Sequence, residues 1–223
     1  MINYFECCST AISSYLIKNK HKKVWLPEDI CSSLTSMLNK HDIEFDFFPI
    51  KRGWGEIDKI DLSMIPQNEF IIVSDLFNFR GIDIRQFINR KFALDLAHCS
   101  IDTARYYMEK IKLINQDVCF FCISMGKGKY YRFGGGGVLI ENESYFAIDN
   151  LNFPEVKYLD IPLHGIKFKS TSTSSRMVVS ADKISNIEIE RLRQLGVDIS
   201  DGLYSHISKK SSNEYFVWKE CKQ

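Results

Sequence analysis

Three continuous apolar runs constrain this chain more than any other feature: Phe70 to Ser74 (FIIVS), Phe92 to Asp95 (FALD) and Val118 to Ser124 (VCFFCIS). A strand that is apolar at nearly every position is buried on both faces, as happens in parallel sheets covered by helices. The segments before and between these runs have other periods. Ile30 to Lys40 carries apolar residues at 30, 34, 37 and 38, a helical spacing, and Ile82 to Asn89 also reads as a helix. Lys23 to Pro27 is a short strand stopped by proline, and Ile43 to Phe48 alternates as a strand does. Strands alternating with helices predict an α/β fold, a three-layer sandwich around a mostly parallel central sheet.

At 223 residues the chain is long enough for one large domain, or one with a small appendage. An apolar content of 45% with 13% aromatics supplies a core and excludes a disordered chain. Twenty-nine basic against 28 acidic residues leave a net charge of +1, without the basic excess of a phosphate-backbone binder. No apolar run approaches the roughly 20 residues of a membrane helix, and no signal-peptide pattern opens the chain. The expectation is a soluble, cytoplasmic protein with neither a nucleic-acid nor a membrane partner.

Seven cysteines, an odd number scattered along the chain, read as free thiols of a reducing compartment. Cys119 and Cys122 have C-x-x-C spacing but lie inside an apolar strand, and no second ligand pair exists at metal spacing. They read as structural cysteines, and no metal is expected.

After Gly137 the pattern loosens. Residues 138–140 and 144–148 suit a hairpin, 169–176 (KSTSTSSR) a polar loop, and 185–195 an amphipathic helix ended by Gly196. Tyr215 to Trp218 reads as a short aromatic strand or a docking tail. A domain boundary, where one exists, falls between 150 and 175.

Three segments carry chemistry. Ser124 to Gly137 (SMGKGKYYRFGGGG) follows a buried strand, holds Lys127 and Lys129, and ends in four glycines. Such a tract suits positive φ or close backbone approach, although a glycine-rich hairpin with solvated lysines reads equally from the residues. It lacks the order of a Walker A loop. Asp95 ends an apolar strand, where open α/β sheets place ligand groups, and His98 follows three residues on; Asp95 also suits a helix N-cap. Ser9 and Thr10 begin a helical stretch, whose N-terminus suits a phosphate or plain capping.

The order of these segments resembles the DegT/DnrJ/StrS group of sugar aminotransferases, fold-type-I pyridoxal-phosphate enzymes. Ser9-Thr10-Ala11 is similar to the family's G-T-x-A helix start, and Trp25-Leu26-Pro27 to its strand ending near a proline. Leu94-Asp95-Leu96-Ala97-His98 is similar to its E-D-x-A-[QH] motif. Ser124 to Lys129 with Gly134 to Gly137 resembles its S-F-x-x-x-K segment and glycine tail, and Ser74 to Gly81 its loop between two central strands. The likeness covers residues 5 to 140.

The resemblance implies a pyridoxal 5'-phosphate cofactor in a transferase large domain over residues 1–150. Residues 151–223 then form a short extension in place of the usual small domain. Lys129 takes the role of the Schiff-base lysine, with Lys127 two residues early. Asp95 takes that of the partner of the pyridine nitrogen, His98 lies near the ring hydroxyl, and Ser9, Thr10 and Ser124 bind the phosphate. The implied activity is an aminotransferase acting on a sugar nucleotide or related bacterial metabolite, with an amino donor and a keto acceptor as small-molecule substrates, in a homodimer, in a setting such as polysaccharide biosynthesis.

The chain also departs from the family. The helical arm before the phosphate segment is reduced to about eight residues. Only 94 residues follow Lys129, and Glu28, Asp29, Ile30 and Cys31 stand where an aromatic residue stacks on the ring. Arg132 and Arg176 suit substrate anions or the bare surface. The other readings are a non-catalytic relative serving as a binding or regulatory module, and a glycine-rich nucleotide-binding α/β domain; no G-x-G-x-x-G follows an early strand.

Overall fold

The computed structural model describes residues 2–52, 57–75, 80–114, 118–125 and 136–141, and the backbone of strands 158–163, 166–171, 176–180, 197–200 and 215–220. In chain order the first part contains β1 (Ile2–Phe5), α1 (Cys8–Lys18), β2 (Lys23–Pro27), α2 (Ser32–Lys40), β3 (Glu44–Phe48), β4 (Ile50–Lys51) and β5 (Lys59–Ile60). It continues with β6 (Phe70–Ser74), β7 (Lys91–Asp95), α3 (Ile101–Leu113), β8 (Phe120–Ser124) and β9 (Gly137–Glu141).

Seven of these strands form one sheet in the order β1-β9-β8-β7-β6-β2-β3. Strands β3, β2, β6, β7 and β8 run parallel; β9 is antiparallel to β8, and β1 is antiparallel to β9 and therefore runs with β8. The expected α/β fold with a mostly parallel sheet is thus present. The three apolar runs form its adjacent central strands, β6, β7 and β8.

Side chains alternate across the sheet with the period of two that a strand imposes. Phe70, Ile72, Ala93, Phe120 and Cys122 face α1 and α2, meeting Ala11, Ile12, Leu16, Leu34 and Leu38. Ile71, Val73, Phe92, Leu94, Phe121 and Ile123 face α3, meeting Ile101, Ala104, Tyr107, Met108 and Ile111. The helices follow from local chemistry as well as from this pattern. Ser100 caps α3 by accepting from the Thr103 N–H at 3.4 Å, Asp102 sits in the first turn and Lys110 and Lys112 in the last, each sign matched to the helix dipole.

Residues 82–89 do not form the expected helix. Only Ile84–Phe87 makes a 3-10 turn, Ile88 is extended at ψ 131°, and Asn89 enters the left-handed region at φ 62°. Ile84 and Phe87, three residues apart, are buried within this one turn and Ile82 is buried just before it, so a full helix is not needed to bury them. Val138 to Ile140 lies in β9, paired with β8 and β1; residues 144–148, the proposed second arm of its hairpin, lie outside the described residues, as does the expected helix 185–195.

Beyond position 150, β10 (Tyr158–Leu163) pairs with β11 (Ile166–Thr171). Strands β12 (Arg176–Ser180), β14 (Tyr215–Glu220) and β13 (Val197–Ser200) form a three-stranded antiparallel sheet. The aromatic segment at 215–218 is accordingly a strand. Strand structure reaches Thr171 and resumes at Arg176, so the polar loop expected over 169–176 gives way to strand at both ends. Among the described residues no helix is long and apolar enough to cross a membrane.

Candidate functional site

Sheet polarity gathers the carboxyl ends of β6, β7 and β8, the end of β1 with the start of α1, and the start of β9 along one edge. In sheets of this kind that edge is where ligands bind. Asp95 is the last residue of β7 and is 6% exposed. Its register partner on β8 is Cys122, whose thiol reaches the Cys8 carbonyl at 3.8 Å in the first turn of α1. Ser124, the buried last residue of β8, lies in register with Gly137 at the start of β9. Asp95, Ser124 and the N-terminus of α1 are therefore held on three contiguous elements.

The glycine tract explains how α1 comes so close. Gly136 adopts φ 115°, a conformation that side-chain-bearing residues rarely take, and its carbonyl accepts from the Met125 N–H at 2.9 Å. A Cβ on Gly137 would lie 2.5 Å from the Cys8 nitrogen and 2.6 Å from the Cys7 carbonyl carbon. Both features anticipated for the tract, positive φ and close backbone approach, occur at its last two residues. Lys127, Lys129 and Arg132 lie outside the described residues.

At the start of α1 no side chain caps the helix, and its first turn holds no acidic residue. The orphan N–H groups there and the positive end of the dipole suit an anion. Both hydroxyls of this turn have partners: Ser9 Oγ lies 3.0 Å from Ser33 Oγ, and Thr10 Oγ1 lies 3.3 Å from Cys7 Sγ. Asp95 does not cap a helix. Its Oδ1 accepts from the Ala97 N–H at 2.9 Å in a local turn, which also carries the half-buried His98, and the cap of α3 is Ser100. Burial pushes the Cys122 thiol well above its usual range, which makes it a packing group and a poor nucleophile.

Beside this edge lies a buried charged cluster that sequence reasoning missed. Arg52, just after β4, bonds Asp29 through Nε and Nη2 at 2.6 and 2.7 Å, and Asp58 through Nη1 at 2.7 Å. It also donates to the carbonyl and hydroxyl of Ser74 at 2.7 and 3.0 Å. The cluster occupies the junction of β2 and β6, where the chain leaves neighbouring strands toward opposite faces: α2 on one, the 3-10 turn on the other. Asp29 thus fills the stretch after Pro27 with an inward-turned carboxylate. No local pattern distinguishes such a buried arginine from a surface one.

The next residue, Asp75, accepts from the Tyr107 hydroxyl at 2.7 Å and from the Arg80 N–H at 2.9 Å, and its own N–H donates to the Asp95 carbonyl. Burial pushes Asp75 up to about 7; the Tyr107 bond opposes the rise, nearby Asp58 adds to it, and Arg52 opposes it. An unfolded aspartate titrates near ~4, so between there and 7 the native chain holds a proton that the unfolded chain has lost. Stability therefore falls as pH rises through that window and levels off above it. Tyr107→Phe removes a donor to the charged carboxylate and strips the Ile82 N–H of its acceptor at 3.1 Å. Urea unfolding is expected to show a loss of roughly 1–3 kcal/mol, greater at pH 8 than at pH 5. An equal loss at both pH values would contradict the titration of Asp75.

No known protein family matches this chain, and no curated protein does. Solved structures do. Archaeal O-phosphoseryl-tRNA(Sec) selenium transferase is similar over 99% of this chain and 66% of its own, at 12% identity and a TM-score of 0.52. A sugar aminotransferase from Streptococcus pneumoniae in its PLP form aligns over 70% of this chain and 47% of its own, at 13% identity and a TM-score of 0.45. Histidinol-phosphate aminotransferase from Clostridium acetobutylicum aligns over 69% and 49%, at 18% identity and a TM-score of 0.47. The chain thus spans about half the length of these two aminotransferases. The likeness to the selenium transferase shows a shared α/β fold.

Proposed function

We propose that this chain is a pyridoxal-phosphate-dependent aminotransferase-like protein in which Lys129 attaches the cofactor, acting on a sugar nucleotide or related bacterial metabolite. The observation that carries the reading is the joining of Asp95, Ser124 and the uncapped start of α1 on one sheet edge by Gly137 and Cys122. The donor set fits the group: a buried carboxylate for a protonated ring nitrogen, and orphan N–H groups with hydroxyls for a phosphate. When bound, the cofactor supplies an electron sink for a substrate carbanion. The protein's part is to hold and exclude. Asp95 would keep the ring nitrogen protonated, the first turn of α1 with Ser9, Thr10 and Ser124 would retain the phosphate, and His98 would serve the ring hydroxyl. Lys129 moves the substrate proton as general base. A large domain over 1–150, an extension over 151–223, a homodimer and a cytoplasmic location belong to the same proposal.

The test is borohydride trapping of the purified chain with pyridoxal phosphate, followed by peptide mass analysis. A pyridoxyl group on Lys129, absent from Lys129→Ala, supports the assignment; one on Lys127 moves it by two residues; none sinks the cofactor reading. A second reading, a relative that binds without turnover, draws on Asp29, which is locked to Arg52 where a stacking aromatic stands in the family. Amino donors that leave the bound cofactor's spectrum unchanged select that reading.

A further inference from the structure

Between the side of α3 and residues 80–85 opens a pocket of about 360 Å³, a volume in the range of small-molecule sites. Its charges are unbalanced. Arg80 lies 5.0 Å and Lys110 5.5 Å from the centroid of the Tyr106 ring, and among the described residues neither has a carboxylate within ion-pair distance. The third cation of the wall, Arg85, is held by Asp83 at 2.8 Å. Both cations are exposed beside the same ring, so a dianion that reaches the pocket has two charged donors to pair with.

The remaining wall is apolar and partly open to water. Ile57 is 57% and Leu113 79% exposed beside the buried Ile82 and Ile84. Arg80 is also held in the left-handed region, at φ 55°, with its N–H bonded to Asp75. Such strain in a residue without glycine's freedom gathers at ligand sites.

We propose that this pocket binds a phosphate monoester carried on an aromatic body, with the phosphate between Arg80 and Lys110 and the ring covering Ile57 and Leu113. Guanidinium and ammonium together suit a phosphate dianion, and the exposed aliphatic wall suits the ring. The site is separate from the proposed cofactor cradle and stands whether or not that cradle binds pyridoxal phosphate.

The test is calorimetric titration of the full chain with phenyl phosphate and with inorganic phosphate at low ionic strength. Phenyl phosphate is expected to bind about tenfold or more tightly than inorganic phosphate, because ring burial adds to the charge contact. Arg80→Gln and Lys110→Gln are each expected to weaken it by about tenfold, the worth of a charge-assisted hydrogen bond. Leu113→Ser is expected to shrink the preference for the aromatic ester. Absence of binding, equal affinity for the two phosphates, or affinity that survives both Arg80→Gln and Lys110→Gln overturns the proposal; the last outcome places the ligand elsewhere on the chain.

Discussion

Arg52→Ala is expected to destabilise the chain by roughly 3–5 kcal/mol, the cost of removing one partner from a buried ion pair. The carboxylates it leaves, Asp29 at 1% and Asp58 at 4% exposed, have too little contact with water to be rehydrated where they stand. The Ser74 carbonyl and hydroxyl lose their donor in the same step. For a chain of this size each kcal/mol moves Tm by roughly 2–4 °C, so a fall on the order of 10 °C is expected in a thermal melt.

Two companion variants separate charge from geometry. Arg52→Lys keeps the charge but loses the planar fork, in which Nε and Nη2 reach Asp29, Nη1 reaches Asp58 and the Ser74 carbonyl, and Nη2 also reaches the Ser74 hydroxyl; it is expected to fall between wild type and alanine. Replacing Arg52, Asp29 and Asp58 together by apolar residues of similar volume is expected to recover much of the loss, since desolvation offsets most of the attraction within a buried ionic group. An alanine variant that melts with wild type would mean that water reaches the cluster. The effect extends toward the candidate site, because Ser74 precedes Asp75 and the Asp75 N–H holds the Asp95 carbonyl. Weaker pyridoxal-phosphate binding is therefore expected in folded Arg52→Lys.

The central sheet was legible because burial on both faces leaves continuous apolar runs, and the ends of those runs mark the edge where Asp95 and Ser124 stand. What escaped was non-local. β1 is a four-residue strand, partly exposed, whose partners on β9 lie more than 130 positions away, and nothing in INYF announces that pairing. Asp29, Arg52, Asp58 and Ser74 look like ordinary polar residues between elements, and only the junction of β2 with β6 turns them inward. The helix expected over 82–89 failed for a different reason. Ile84 and Phe87, three apart, fit one 3-10 turn as well as an α-helix, and the deciding conformation, Asn89 at φ 62°, leaves no hydrophobic signature.

Gly137→Ala is the steric counterpart of the Arg52 experiment. The new methyl meets the Cys8 nitrogen at 2.5 Å, the Cys7 carbonyl carbon at 2.6 Å and the Cys7 oxygen at 2.9 Å. All three are backbone atoms, so no rotamer change relieves the clash. Either α1 lifts from the sheet or β9 shifts out of register with Phe5 and Ser124. Overpacking of this kind costs about 1–3 kcal/mol, and more where the obstacle is main chain. Gly136→Ala separates sterics from backbone conformation. There the nearest atom is the mobile Met125 Cε at 3.1 Å, and the cost comes from φ 115° instead. Strain of that origin is expected to lower stability while leaving the first turn of α1 in place. Hydrogen exchange at Ala11, whose N–H donates to the Cys7 carbonyl at 3.0 Å, should therefore quicken in Gly137→Ala far more than in Gly136→Ala, and pyridoxal-phosphate affinity should fall with it. Equal protection of the Ala11 amide in both variants would show that the contact between β9 and α1 yields elsewhere, and that the helix start does not depend on a bare glycine beneath it.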